Sequence, residues 1–159
     1  MASFRVLLKQ VLHLDESPQR TALAFSIGSA IAFSPFYGLH TILVVFCAWA
    51  LRLNFIAVMA GNLLNNPWTT VPILGMTYWT GAQFLGRADT PVFDWKDLSF
   101  SSIYTQVMPH LAPFFIGGMI LSLFAAVFSY PAARYFIRKY RQAHPTRSGE
   151  PLPPHDSLG

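Results

Sequence analysis

The sequence predicts an all-α integral membrane protein, and three observations support that fold class. Of the 159 residues, 53% are apolar and only 11% are charged, whereas soluble domains carry roughly 25% charged residues. Three long apolar blocks follow one another along the chain. Two of those blocks are interrupted near their middle by proline and polar residues. The length suits one domain, since roughly 100–200 residues is the usual size.

The chain before the first block predicts a helix that lies on the membrane surface. Between Phe4 and Leu14, apolar residues recur at helical spacing with charged and polar residues opposite them. Ser17 followed by Pro18 is typical of a helix start. We therefore expect an interfacial helix over residues 1–16 and the first block immediately after it.

The first block, within residues 17–54, is predicted to break at Pro35 and Gly38. Each half is about 20 Å long at 1.5 Å per residue, which is short of the roughly 30 Å hydrocarbon core. The second block, within residues 55–86, is predicted to break at residues 65–72, NNPWTTVP, into halves of similar length. We therefore expect two helix-break-helix segments, either re-entrant or discontinuous.

Aligning Pro35 with Pro67 brings the two interruptions into register and predicts a weak internal repeat with an offset of 32 residues. Transporters often bind substrate where paired discontinuous helices meet near the membrane midplane. The alternative is two kinked helices that only pack together.

The remaining chain completes a single membrane domain over residues 1–143. Residues 87–110 mix aromatic and charged residues and predict an interfacial stretch. Residues 111–137 predict one simple transmembrane helix, and residues 144–159 predict a disordered tail.

The distribution of positive charge predicts the topology. With both termini in the cytoplasm, most Lys and Arg residues fall on the cytoplasmic side. An even number of crossings then requires that one broken block return to its own side, and Arg52 favours the first block for that role. The predicted location is the bacterial inner membrane, with several passes.

The interruptions concentrate the polar residues of the apolar blocks. Such groups are costly in lipid unless they find partners, and helix starts after Pro35 and Pro67 favour an anionic ligand. Arg52 is a candidate phosphate ligand, and Arg20 lies nearby in the same role. The alternative is that the polar side chains cap helices and the arginines only anchor the topology. The predicted substrate-binding residues are Pro35, Gly38, His40, Thr41, Arg52, Asn62, Asn65, Asn66, Pro67, Thr69 and Thr70.

Several other classes of function are disfavoured. All seven acidic residues lie outside the apolar blocks, so no carboxylate pair for acid–base catalysis lies in the membrane. Cys47 is the only cysteine, and the histidines have no metal-binding spacing. We therefore expect no enzyme, no metal and no cofactor. The net charge of +4 is explained by topology and anionic lipid rather than by nucleic acid.

Several motifs together resemble a known family. They are Ser17–Pro18, the arm IGSAIAFSPFYGLHT, LRLN with Arg52 and Asn54, NNPWTTVP, and finally Tyr78 and Gly81. Over about residues 5 to 140 the chain resembles the bacterial membrane family catalogued as domain of unknown function 2062. The resemblance implies a small inner-membrane protein without an assigned reaction. Some relatives are joined to glycosyltransferase domains, which implies polyprenyl-phosphate or glycolipid handling.

Three hypotheses for the function follow. The leading one is a transport or lipid-handling protein that binds or moves an anionic lipid headgroup such as a polyprenyl phosphate. The alternative is a membrane scaffold that partners a glycosyltransferase or another envelope enzyme. The third is a small channel, which requires a homo-oligomer because so few segments do not enclose a wide pore.

Overall fold

The structure is a computed structural model that describes residues 16–86 and 100–143, and every regular element in those ranges is an α-helix. Since the described ranges contain no β-strand, the all-α prediction is confirmed at that level. The helices, in chain order, are α1 (Pro18–Phe33), α2 (His40–Ala50), α3 (Phe55–Asn62), α4 (Pro67–Phe84) and α5 (Phe100–Ala143).

Side-chain caps fix the starts of three helices. Ser17 Oγ accepts a hydrogen bond from the backbone N–H of Arg20 at 3.3 Å, and Pro18 occupies the first turn of α1. The side chains of Asn54 and Asn66 cap α3 and α4 in the same way. Each cap of this kind contributes about 1 kcal/mol. The predicted start at Ser17 and Pro18 is therefore confirmed.

α1 and α3 approach each other closely at a pair of glycines. Gly28 of α1 lies against the backbone of Val58, and Gly61 of α3 lies against the backbone of Phe25. A Cβ atom built on Gly28 would lie 1.9 Å from the Val58 carbonyl oxygen. Only glycine fits at this crossing, because the obstructing atoms belong to backbone that does not move aside.

The contacts between these two segments advance together along the chain, so α1 and α3 run in parallel. The Arg20 side chain, near the start of α1, donates to the carbonyl oxygen of Arg52, 32 positions later. Near the end of α1, the Asn65 side chain donates to the carbonyl oxygen of Ala32, 33 positions earlier. This spacing is close to the offset predicted for the internal repeat.

α2 folds back along α1, so the first two helices form a hairpin. At one end, His40 Nε2 lies 3.5 Å from the carbonyl oxygen of Ser34, just after α1. At the other end, Arg52 follows α2 and accepts the bond from Arg20. Val44 of α2 is fully buried and belongs to an apolar core shared with α1 and α3.

The long helix α5 runs antiparallel to α1. Ser122 Oγ donates to the carbonyl oxygen of Ala30 at 2.8 Å. Further along α5, Arg141 Nη1 donates to the carbonyl oxygen of Glu16 at 2.5 Å, just before α1 begins. The C-terminal end of α5 therefore lies beside the N-terminal end of α1.

A second glycine pair joins α4 to α5. Gly81 packs on the backbone of Pro113, and Gly117 packs on the backbone of Thr77. α4 packs extensively on α5 but not along α3. The second block therefore opens at its interruption, whereas the first block closes into a hairpin.

The helices differ from the sequence prediction in three respects. Because Asn66 and Pro67 provide a good helix start, α4 begins at Pro67, and Pro72 lies inside the helix rather than in the break. The helices α3 and α4 have 8 and 18 residues, so the predicted equality of the two halves is wrong. α5 begins at Phe100, within the stretch 87–110 predicted to be interfacial, and it continues to Ala143.

One helical stretch within the described ranges is long and apolar enough to cross a membrane, and it is Met108–Ala143 of α5. This agrees with the helix predicted over residues 111–137. The other terminal predictions, an interfacial helix over 1–16 and a tail over 144–159, lie outside the described residues apart from Glu16.

Charge and apolar surface are segregated on the molecule. Large apolar side chains are exposed on α2, α4 and α5, and Trp68 is the extreme case with 90% of its surface exposed. The lysine and arginine residues of ranges 16–86 and 100–143 lie near the start of α1 or in the last turns of α5. We call this set the basic end: Arg20, Arg52, Arg134, Arg138, Lys139 and Arg141.

Candidate functional site

The first interruption, residues 34–39, ends α1 and turns the chain. The Ser34 side chain and backbone N–H both donate to the carbonyl oxygen of Ile31, at 2.8 and 3.0 Å. A tight turn follows, in which the Leu39 N–H donates to the Phe36 carbonyl oxygen at 3.0 Å. Gly38 has a φ of 85° in this turn, a conformation that glycine adopts without strain.

Aromatic packing holds the first interruption on α5. The Phe36 ring meets the Phe115 ring edge-to-face at a centroid distance of 5.7 Å, and the Tyr37 ring lies 5.6 Å from that of Phe114. Gly118 lies against Pro35 at the same level. The turn therefore takes its position from packing against a separate helix.

The second interruption, residues 63–66, is fixed by its own hydrogen bonds. Asn66 Oδ1 accepts from the backbone N–H groups of Trp68 and Thr69, at 3.0 and 3.1 Å. In return, Thr69 Oγ1 accepts from the Asn66 N–H at 2.9 Å, which completes a capping box. Thr69 Oγ1 also lies 2.5 Å from the Leu64 carbonyl oxygen and donates to it.

Asn65 connects the two interruptions. Its Nδ2 donates to the carbonyl oxygen of Ala32 at 3.1 Å, one residue before α1 ends at Phe33. Its Oδ1 accepts from Thr70 Oγ1 at 2.7 Å. Both functional groups of this side chain are therefore used, Nδ2 towards the end of α1 and Oδ1 towards the first turn of α4.

Most of the predicted site residues lie at one of the two interruptions. Pro35, Gly38 and His40 meet at the first interruption, while Thr41 is exposed on the outer side of α2. Asn62 ends α3, and five further residues lie around the second interruption. These residues are Asn65, Asn66, Pro67, Thr69 and Thr70.

Arg52 is not brought to the interruptions. It lies beside Arg20 at the start of α1, and the helix from Arg20 to Phe33 is about 20 Å long at 1.5 Å per residue. Arg52 has a φ of 51° and an exposed side chain. The predicted grouping of Arg52 with the polar interruptions is therefore not what the fold builds.

Buried polar atoms without a hydrogen-bond partner lie in or beside this region. Within the described ranges they include Tyr37 Oη, Asn62 Oδ1 and Thr77 Oγ1. Buried polar groups of folded proteins are usually paired, so each unpaired group calls for an explanation. Sequence reasoning found Asn62 but missed Tyr37 and Thr77, since their residue types are ordinary in apolar helices and only their surroundings are unusual.

The chain matches one protein-family model along nearly its whole length. The match extends over residues 1–145, and the family is described as uncharacterized proteins conserved in bacteria, DUF2062. The chain belongs to the DUF2062 family. The resemblance drawn from the sequence motifs is confirmed.

No curated protein and no solved structure matches the chain. The site therefore has to be interpreted from its own residues.

The polar side chains of the candidate site provide hydrogen-bonding groups. Within ranges 16–86 and 100–143, no three His, Cys, Asp or Glu residues lie close enough to hold a metal ion. His110 Nδ1 is 2.9 Å from Tyr78 Oη, and the His40 ring lies beside that of Tyr37 with centroids 5.1 Å apart and planes tilted by 56°. The described groups offer hydroxyl, amide and imidazole hydrogen-bonding chemistry.

Proposed function

We propose that this protein is a multi-pass protein of the bacterial inner membrane that binds or moves an anionic lipid headgroup such as a polyprenyl phosphate. Exposed apolar side chains on α2, α4 and α5 support a lipid environment. The basic end supports a cytoplasmic location for the start of α1 and the end of α5, because cytoplasmic segments are enriched in Lys and Arg.

The lengths of the helices support a re-entrant first block. α1 has 16 residues and is about 24 Å long, whereas the hydrocarbon core is about 30 Å thick. With the basic end at the headgroups, α1 stops inside the hydrocarbon and α2 returns to the side from which α1 came. The two interruptions then lie within the membrane.

The observation that carries the proposal is the pair of unpaired polar atoms beside the interruptions. Tyr37 Oη and Asn62 Oδ1 are buried and lack partners among the described residues, and lipid tails offer none. The Tyr37 hydroxyl is able to donate to a phosphate oxygen, and Asn62 Oδ1 is able to accept from a sugar or glycerol hydroxyl. A headgroup entering between the interruptions would satisfy both atoms.

Liposome reconstitution tests this proposal with a matched pair of tyrosine variants. Movement of a labelled polyprenyl phosphate or phospholipid across the bilayer is measured for the wild type, Tyr37→Phe and Tyr78→Phe. Tyr78 is the control, because its hydroxyl is already bonded to His110. We expect Tyr37→Phe to slow movement and Tyr78→Phe to leave it unchanged.

Rates for the wild type equal to those of empty liposomes, for every headgroup tried, would contradict the lipid-handling proposal. If wild type and Tyr37→Phe move lipid at equal rates, the protein still moves lipid, but the interruptions are not the site of that movement. Conductance across planar bilayers, measured on the same preparation, would indicate a channel in place of either.

A scaffold is the second candidate function, and a specific observation favours it. The polar side chains of the second interruption are used internally, as caps and as the link from Asn65 to Ala32. The exposed apolar face of α4, which includes Trp68 and Trp79, is available to another membrane protein. A scaffold predicts that a glycosyltransferase or another envelope enzyme co-purifies with the wild type, and that Trp68→Ala with Trp79→Ala abolishes this without a loss of folded yield.

A further inference from the structure

One face of α5 changes from apolar to basic as the helix approaches its end. Residues spaced three and four apart lie on the same side of a helix. Phe124, Phe128, Pro131, Tyr135 and Arg138 follow this spacing, so they form one continuous stripe. The stripe has the character of an amphiphile, with hydrocarbon at one end and a cation at the other.

A concavity of about 600 Å³ lies along the basic part of this stripe. Among its lining residues within ranges 16–86 and 100–143, Arg134, Arg138 and Lys139 carry a positive charge and none carries a negative charge. Pro131 and Tyr135 of the stripe also line it.

The cations in the concavity have unused hydrogen-bonding capacity. Arg134 Nε is buried and has no partner within the described ranges. Lys139 Nζ lies 5.8 Å from the centre of the Tyr135 ring, a cation–π contact that leaves its N–H groups available. Arginine suits phosphate in particular, because its planar donors match two phosphate oxygens at once.

The apolar part of the stripe leads directly into the concavity. Phe124 and Phe128 stack with ring centroids 6.0 Å apart, and they are 55% and 66% exposed. Tyr135 lies between these rings and Arg138, and tyrosine is enriched where hydrocarbon meets headgroups. An acyl chain along the rings would place its phosphate among the cations.

We propose that this face of α5 binds one phospholipid with an anionic headgroup. Its phosphate contacts Arg134, Arg138 and Lys139, and its acyl chain lies on Phe124 and Phe128. The site is separate from the helix interruptions, since Phe114 and Arg134 are 20 residues apart and therefore about 30 Å apart along α5. The proposal stands whether or not lipid moves through the interruptions.

Native mass spectrometry of the full chain in a neutral detergent tests this site without a membrane surface potential. Retention of phosphatidylglycerol and of phosphatidylcholine is compared for the wild type, Arg138→Gln and Arg52→Gln. Arg52 is the matched control, because it is an exposed arginine of the same basic end and does not line the concavity. We expect the wild type to retain phosphatidylglycerol preferentially and Arg138→Gln to weaken retention about tenfold, the effect of losing one hydrogen bond between charged groups.

Phe128→Ala separates a lipid site from a site for free phosphate. It should weaken retention of long-chain phosphatidylglycerol and leave retention of the dihexanoyl form unchanged, because the short chains do not reach that ring. Displacement of the lipid by inorganic phosphate at the same concentration would overturn the assignment to a lipid. Equal losses for Arg52→Gln and Arg138→Gln would overturn the site, since they would indicate attraction to the whole basic end.

Discussion

The two helix interruptions are held in different ways. The second, at residues 63–66, is rich in polar side chains, and Asn65, Asn66 and Thr69 are used in hydrogen bonds within the chain. The first also has two polar side chains, Ser34 and Tyr37, but it depends on aromatic packing against α5, and the Tyr37 hydroxyl is unpaired among the described residues. The polar side chains at an interruption therefore do not indicate by themselves whether that interruption has groups available to a ligand.

This difference has a physical origin in the geometry of each turn. A helix start needs acceptors for its first N–H groups, and the α4 start consumes the asparagine and threonine side chains nearest to it. The first interruption ends α1 in a turn whose donors and acceptors are mostly backbone. Its side chains are therefore free to point towards α5.

The largest effect is expected from removing the close contact between α1 and α3, which holds the two interruptions at the same end of the α1–α3 pair. Gly28→Ala would place a Cβ atom 1.9 Å from the Val58 carbonyl oxygen, so α1 and α3 would have to separate. We expect the free energy of unfolding in detergent to fall by about 3 kcal/mol. Gly75→Ala is the control, because no atom lies within 4 Å of its Cβ position. An equally mild effect at both positions would refute the close crossing.

The next test cuts the link between the interruptions. Asn65→Ala leaves the Ala32 carbonyl oxygen and the Thr70 hydroxyl without this partner, and we expect a loss of about 2 kcal/mol. Thr70→Val removes only one of the two contacts of Asn65 and should cost about 1 kcal/mol. Denaturant titration of both variants in the same detergent measures the difference. Equal losses would mean that the bond to Ala32 contributes no more than the bond from Thr70 Oγ1 to the Asn66 carbonyl oxygen, which Thr70→Val also removes.

A smaller effect is expected at the cap of α4. Asn66→Ala removes the acceptor for the first N–H groups of this helix and should lower the free energy of unfolding by about 1 kcal/mol. Asn66→Gly should cost only a few tenths of a kcal/mol, since glycine is a tolerated N-cap. If the glycine variant loses as much as alanine, the role of Asn66 is other than capping.

The smallest effect on stability is expected at the first interruption. Tyr37→Phe removes a hydroxyl that has no partner in the described structure, so the free energy of unfolding should change by less than about 0.5 kcal/mol. Tyr78→Phe breaks the bond to His110 and should cost about 1 kcal/mol. A loss of stability in Tyr37→Phe comparable with that in Tyr78→Phe would show that the Tyr37 hydroxyl is already bonded.

Much of the fold was predictable because its signals are local. Proline with glycine at residues 35–38 stops a helix, and Ser17, Asn54 and Asn66 are good N-caps. Apolar composition alone predicted the long helix of α5. The extent of the second interruption was predicted wrongly because Pro72 was assigned to the break, whereas it lies inside α4.

The candidate site was predicted only in part. The sequence pointed to both interruptions, and the bond from Asn65 to Ala32 brings them together. It did not separate side chains that cap helices from side chains left unpaired, and it grouped Arg52 with residues about 20 Å away along α1. Tyr37 and Thr77 carry no sequence signal, since what distinguishes them is burial away from any partner.

Sequence by itself determined the capped start of α1, the presence of both interruptions and where charge is allowed, because capping, proline geometry and the cost of burying charge act over a few residues. Tertiary structure decided which segments meet. The glycine pairs at Gly28 with Gly61 and Gly81 with Gly117 bring backbones into contact, and the antiparallel course of α5 brings Arg141 to Glu16 and forms the basic end. Such contacts depend on the shapes of two surfaces at once, and the local sequence pattern of one segment carries no information about the surface of the segment that it contacts.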